Sequence, residues 1–216
     1  MKRYFLLCSI LAFAFLGRAS QLALIVLSTA NWTSGRLPSD WQVKVTHGAP
    51  EVSVCRDEPD GCLHLKSVKS SFALERGVDV DPAQLPYLSW RWKVARLPAR
   101  GDFRRAATDD QAAQVLVAFA DRSVVSYIWD STAPKGAAQS AGFIPLVRVF
   151  AIVCQSGGAA LNQWIAETHD VALDYQRAYG RPAPRVKGLR IQINSQHTGT
   201  TAESYFGEVA FRGSPQ

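Results

Sequence analysis

Short runs of alternating apolar and polar residues, separated by turn-forming residues, recur along most of the chain. They predict strands at Trp41–His47, Glu51–Cys55, Cys62–Val68, Ser71–Val78, Tyr87–Ala95 and Gln114–Ala120. Further strands are predicted at Val124–Asp130, Leu146–Gln155, Trp164–Asp170, Lys187–Asn194 and Tyr205–Arg212. In one of them Leu189, Ile191 and Ile193 alternate with Arg190, Gln192 and Asn194, so one face is apolar and the other polar. Val115 to Phe119 is apolar throughout, as a strand covered on both faces should be. A single short helix is expected near the C-terminal strands. Asp170 can cap it, Val171, Tyr175 and Tyr179 share a face, and Gly180 with Pro182 stops it. Its place between two late strands suggests a plug for an opening. Many strands and one helix predict an all-β, jelly-roll-like sandwich.

The N-terminus is different. Lys2 and Arg3 precede an apolar run from Tyr4 to Leu16, and Gly17-Arg18-Ala19 offers a cut after Ala19. Residues 1–19 therefore read as a signal peptide, with residues 20–216 as a single β-sandwich domain in the bacterial periplasm or secreted. Joining the second apolar run, Leu22 to Leu27, to the first would instead give an uncleaved anchor. Arg18, Ser20 and Gln21 interrupt that join, and a charge in mid-span costs about 2.5–3.5 kcal/mol. No other stretch reaches membrane-spanning length, so no membrane span is expected after cleavage. Cleavage would remove Lys2, Arg3 and Arg18 and no acid, lowering the formal net charge from +6 to +3. That balance is too mild to argue for nucleic acid.

Compartment bears on the cysteines. Cys55 and Cys62 flank a turn, Arg56 to Gly61, and alternation sets both on the outer face of one hairpin, where a disulfide can close. A loop this small would contribute roughly 2–3 kcal/mol. Cys154 ends an apolar strand with no His nearby in sequence, and reads as a buried inert thiol.

Familiar catalytic signatures are absent: there is no phosphate loop, nucleophile elbow or HExxH. His47, His64, His169 and His197 share no ligand spacing, so no metal and no cofactor is expected. The polar turn Asn194 to Gly199 carries no carboxylate and is a poor calcium loop. Ser89-Trp90-Arg91-Trp92-Lys93 places two indoles on one face and two cations on the other. The indoles fit a core; Arg91 fits either solvent or a concave face beside an acid. Glu167 and Arg148 lie on strands and are possible partners. Glu167 with Asp170 could act as acid and base on a glycoside, if their carboxyls lay about 5–9 Å apart. Tyr127 and Trp129 share a face near a strand end, where they could pack in the core or stack on a sugar.

Several strings occur in a suggestive order: Leu37-Pro38-Ser39-Asp40-Trp41, SWRWKV from Ser89, and Asp109-Asp110 before Val115 to Phe119. Ser126-Tyr127-Ile128-Trp129, ETHDVALDY from Glu167, Gly188 to Ile193 and Tyr205 to Val209 follow. Together they resemble the bacterial domain-of-unknown-function family 3047, from about Leu37 to Phe211. The resemblance implies a secreted or periplasmic β-sandwich similar to galactose-binding and other jelly-roll modules, with no established activity. Family members often carry Arg where this chain has Gln114, and an Asp-rich turn where it has Asn194 and Gln196. A ligand or ion role of those residues would be altered here.

The reading that follows is a non-catalytic module that binds carbohydrate or another envelope polymer. Its candidate ligand residues are Arg91, Asp109, Asp110, Tyr127, Trp129, Arg148 and Glu167. The acids would accept from hydroxyls, the arginines would clamp and the rings would stack. A polysaccharide hydrolase or lyase, and a structural or interaction protein of the envelope, are the alternatives.

Overall fold

The structure, a computed structural model, describes residues 22–28, 37, 39–57, 60–141 and 146–215. The expected signal peptide, residues 1–19, lies outside the described residues.

The first half of the chain forms β1 (Ala23–Leu27), β2 (Gln42–His47), β3 (Glu51–Asp57), β4 (Asp60–Val68), β5 (Ser71–Val80) and β6 (Tyr87–Arg96). A 3₁₀ turn (Ala106–Thr108) precedes β7 (Ala113–Phe119), β8 (Ser123–Asp130), β9 (Ala138–Ser140), β10 (Arg148–Ser156) and β11 (Ile165–Asp170). The helix α1 (Val171–Tyr179), β12 (Val186–Asn194) and β13 (Thr201–Arg212) complete the described elements. One sheet runs β11-β6-β13-β4-β3, with β1 also paired to β13; we call it sheet A. The other, sheet B, runs β2-β5-β12-β7-β8-β10-β9. The protein is a jelly-roll-like β-sandwich, as the alternation predicts. Nearly every pairing is antiparallel; β8 and β10 are parallel, and the long segment between them supplies the crossover such a pair requires.

Two elements were not predicted. The run Leu22 to Leu27, considered above as part of a membrane anchor, contains strand β1, paired with β13 from Ala23↔Arg212 onward. The short strand β9 is exposed throughout and has no apolar pattern to betray it. Among the described residues no helix is long and apolar enough to cross a membrane.

The core lies where the inner faces of the two sheets meet. Leu88, Trp90, Trp92 and Val94 of β6 face Val125, Tyr127 and Trp129 of β8. The ring centroids of Trp92 and Trp129 are 5.9 Å apart, and those of Trp90 and Tyr127 are 5.2 Å apart. Each such ring buries roughly 150–250 Å² and dominates the packing around it. Both indoles of the Ser89 to Lys93 string are therefore core residues, while Arg91 and Lys93 point outward beside Trp164. Cys55 and Cys62 are direct cross-strand partners and form the expected disulfide.

Helix α1 forms for the reasons legible in its sequence. The Asp170 carboxylate accepts from the Leu173 amide at 2.9 Å. Gly180 adopts φ +70° and donates to the Gln176 carbonyl. Val171 and Tyr175 are buried, and the Tyr179 hydroxyl donates to the carbonyls of Val124 and Arg148. The helix packs beside β6, β8 and β11.

Candidate functional site

Register makes the outer face of sheet B a grid of cross-strand rows. Gly77, Gly188, Ala118, Val124 and Val149 form one row across five adjacent strands. The next row is Glu75, Arg190, Leu116, Ser126 and Ala151. A third is Ala73, Gln192, Gln114, Ile128 and Val153. The face therefore grades from small and aliphatic to amide-rich. Two adjoining cavities of about 490 Å³ and 480 Å³ follow this gradient, sharing Leu116, Val149 and Arg190. Together they make one groove.

Loops build the polar end. Gly101 sits where a Cβ would lie 2.3 Å from the Asp110 carbonyl, so only glycine permits that approach. The loop then drops Phe103 onto Ile128, Ala133, Ala151 and Val153, a small second core on the outer face. Asp130, wholly buried, accepts from the amides of Phe103, Thr132 and Ala133 at 2.7–2.9 Å. Asp110, also wholly buried, accepts from the amides of Thr198 at 2.6 Å and His197 at 3.3 Å, tying the turn after β12 to the loop before β7. Asn194 joins the same structures. Its Oδ1 accepts from the Gln111 amide and from Gln114 Nε2, while its Nδ2 donates to the Asp109 carbonyl.

Charge in the groove is mostly internally engaged. Arg190 reaches Glu75 at 2.5 Å and Gln192 at 3.2 Å. Asp109 accepts from Gln111 Nε2 at 2.9 Å, and burial pushes its carboxyl above the ordinary carboxylate range. Burial raises Asp130 in the same way. Asp102, at the base of the loop, is instead held low by its hydrogen bond from Arg104. Of the buried side-chain atoms without a hydrogen-bond partner, Ser126 Oγ, Arg190 Nε and Gln196 Oε1 belong to residues that line the groove, whereas those of Trp90, Arg91, Trp92, Thr108 and Ser204 do not. Ser126 is only 2% exposed. A buried polar atom left unpaired costs about 1–3 kcal/mol, so such atoms at a cavity wall point to a missing partner.

The residues singled out from sequence are not brought together. Asp109 lines the groove, and Asp110 lies behind it as a loop anchor. Tyr127 and Trp129 are both 0% exposed, so their rings cannot meet a sugar; they fill the core instead. Arg91 lies on the outer face of sheet A, over the Trp164 ring at 5.2 Å. Arg148, at the start of β10, bonds Asp121 and Ser123 Oγ at 2.9 and 2.7 Å. Glu167 points between the sheets and accepts from Gln155 Nε2 at 2.8 Å. Asp170, three residues further on, faces the opposite way and caps the helix, so the two cannot work as one acid and base pair. Gln114, Asn194 and Gln196, noted as departures from the family pattern, also line the groove; the groove residues missed were Ser126, Arg190 and Gln192. Their signal was the outward phase of β8 and β12, which alternation marks as polar without marking as concave.

A second polar cluster lies between the sheets at the edge covered by α1. His169 Nε2 is 3.3 Å from Cys154 Sγ, and its Nδ1 is 3.2 Å from Asp174 Oδ2. The Tyr127 hydroxyl donates to the same carboxylate at 3.0 Å. Sequence distance hid this contact, since the two strands belong to different sheets. Burial pushes the Cys154 thiol well up, so it stays protonated and weakly nucleophilic. Among the described residues no cluster of His, Cys, Asp or Glu is arranged to hold a metal.

A model of one protein family matches residues 39–210, nearly the whole described chain. The chain belongs to DUF3047, a family of proteins of unknown function. No curated protein matches this DUF3047 chain in sequence. Solved structures resemble it in fold. The xyloglucanase domain of NopAA, a type three effector from Sinorhizobium fredii, solved with cellobiose, has a TM-score of 0.51 at 9% identity, over 82% of this chain and 95% of that one. An endoglucanase of Rhodothermus marinus has a TM-score of 0.47 at 9% identity, over 88% and 99%. A family 11 carbohydrate-binding module of Clostridium thermocellum has 0.46 at 9%, over 85% and 92%. The DUF3047 chain is thus similar to them in architecture.

Proposed function

We propose that this DUF3047 protein is a non-catalytic carbohydrate-binding protein of the bacterial periplasm, and that the groove on the outer face of sheet B is its binding site. The observation that carries the reading is the set of buried, unpartnered polar atoms on the groove wall, Ser126 Oγ, Arg190 Nε and Gln196 Oε1. Hydroxyl groups, which donate and accept, would satisfy all three. The fold-level likeness to a xyloglucanase domain solved with cellobiose supports a saccharide as the source of those hydroxyls.

Among the described groove residues no acid and base pair is placed, which supports a binding role. Glycoside hydrolysis uses two carboxyls flanking the scissile bond. Glu75 is held by Arg190, while Asp110 and Asp130 anchor loops through backbone amides, which leaves Asp109 as the one carboxyl lining the groove that is neither ion-paired nor a loop anchor. The Cys55–Cys62 disulfide supports an oxidising compartment.

A glycan array followed by incubation with each bound polysaccharide tests the reading. Binding is expected to at least one neutral or acylated polymer, weakened about tenfold by Arg190→Ala, with no new reducing ends. A flat array would overturn the ligand class, and release of reducing ends would overturn the non-catalytic role.

A further inference from the structure

Resting on the groove as a saccharide site, we infer that its occupant is amphiphilic: an acylated saccharide whose aliphatic chain lies along Gly77, Gly188, Ala118 and Val124, with its sugar head at Ser126 and Gln192.

Sugar rings are usually held by stacking on aromatic faces. Phe103 is the only phenyl, phenol or indole ring among the described residues lining either cavity, and it is 4% exposed and packed into the small outer core. The cavity at the other end has an aliphatic wall of Leu116, Ala118, Val124, Val147 and Val149, rimmed by Glu75, Arg76, Lys187 and Arg190. Such a wall suits methylene chains, which need burial and no directional partner.

The floor of the groove is opened by a pair of glycines. Gly77 and Gly188 are direct cross-strand partners, and Gly188 is also the partner of Ala118. Neither glycine has a left-handed φ, although the strand register shifts beside Gly188. A Cβ at Gly77 would meet nothing within 4 Å, and one at Gly188 would make only ordinary contacts at 3.7 Å. A side-chain carbon is therefore sterically allowed at both places, and glycine forms strands less well than residues that carry one. Glycine inside a strand marks either a bulge, as the register shift beside this pair also allows, or a place where something else approaches the backbone closely. Here the row opens a trough into the cavity, and the trough leads to the unpartnered Ser126 hydroxyl in the adjoining row. Arg190 lines both cavities, so head and chain can be held by one continuous surface.

Titration calorimetry with octyl β-glucoside, kept below its critical micelle concentration, and with methyl β-glucoside tests this. Each buried methylene should tighten binding roughly threefold over the first few carbons, so octyl glucoside should bind at least ~30-fold tighter than methyl glucoside. In Gly77→Val, and independently in Gly188→Val, that preference should collapse to about one while the melting temperature holds or rises. An unfolded variant would show itself as a lowered melting temperature, and Ala118→Leu then provides the same block from the neighbouring strand. Equal binding of the two glucosides, or a preference untouched by all three variants, would overturn the amphiphile and leave the saccharide site standing. Binding of neither glucoside, nor of cellobiose, would overturn both.

Discussion

The groove and the interior cluster use polar side chains in opposite ways. Between the sheets, Cys154, His169, Asp174 and Tyr127 are chemically suggestive residue types, yet they bond one another closely. The thiol is kept protonated by burial, and neither cavity reaches it among the described lining residues. On the outer face of sheet B the residues are plain amides, a serine and an arginine, and there buried hydrogen-bonding capacity is left open. Residue type alone would favour the first cluster as the site. Open valence at a cavity wall favours the second: the core also holds unpaired donors, Trp90 and Trp92 Nε1, but only the groove's lie where a ligand can reach them.

The largest effect expected from this contrast is on stability. Asp174→Ala removes the acceptor shared by Tyr127 and His169 inside the core, and should cost about 3 kcal/mol in denaturant unfolding. Glycan binding by the folded fraction should be unchanged. Loss of binding in a folded Asp174→Ala protein would erase the distinction between the regions.

A smaller effect, dependent on pH, is expected at Asp109. Its folded pKa lies above the unfolded value because of burial. Its contribution to stability is therefore present below about pH 3.9 and lost as pH rises through the folded value. Asp109→Asn cannot ionise, so it should melt higher than the parent at pH 7, with the gap closing below about pH 3. A gap that widens on acidification would show that the carboxylate is stabilised where it stands.

The smallest stability effect is expected at Ser126. Removing an unpartnered buried hydroxyl relieves its desolvation penalty, so stability should hold or rise by up to about 1 kcal/mol. Ser126→Ala should nevertheless weaken saccharide binding about fivefold in calorimetry. Taken with Asp174→Ala, it forms a double dissociation; a variant pair that moves both quantities in parallel would break it.

Much of the sandwich was legible because side chains alternate across a pleat. The inner set Leu189, Ile191 and Ile193 and the helix capped by Asp170 both lie where periodicity and capping chemistry put them. Strand β1 escaped because its uninterrupted apolar run lacks alternation, and β9 because all three of its residues are exposed. The site was harder to read for a different reason. Alternation says that Ser126, Arg190 and Gln192 point outward, but not that the loop carrying Phe103 and the turn held by Asp110 raise walls around them. Those walls depend on contacts such as Thr198 to Asp110, far apart in sequence. Aromatic residues misled for a related reason. Tyr127 and Trp129 look like a stacking platform in one dimension, and only the second sheet closing over them makes them core.

The central claim is that the outer face of sheet B binds a saccharide through its unpaired polar atoms. Amide chemical-shift mapping during a titration with cellobiose addresses it most directly. The account predicts shifts concentrated at Ser126, Arg190, Gln192 and Gln196, with Trp164 and Tyr205 on the far face unmoved. Shifts gathered around Trp164 and Tyr205, or none at saturating sugar, would contradict it.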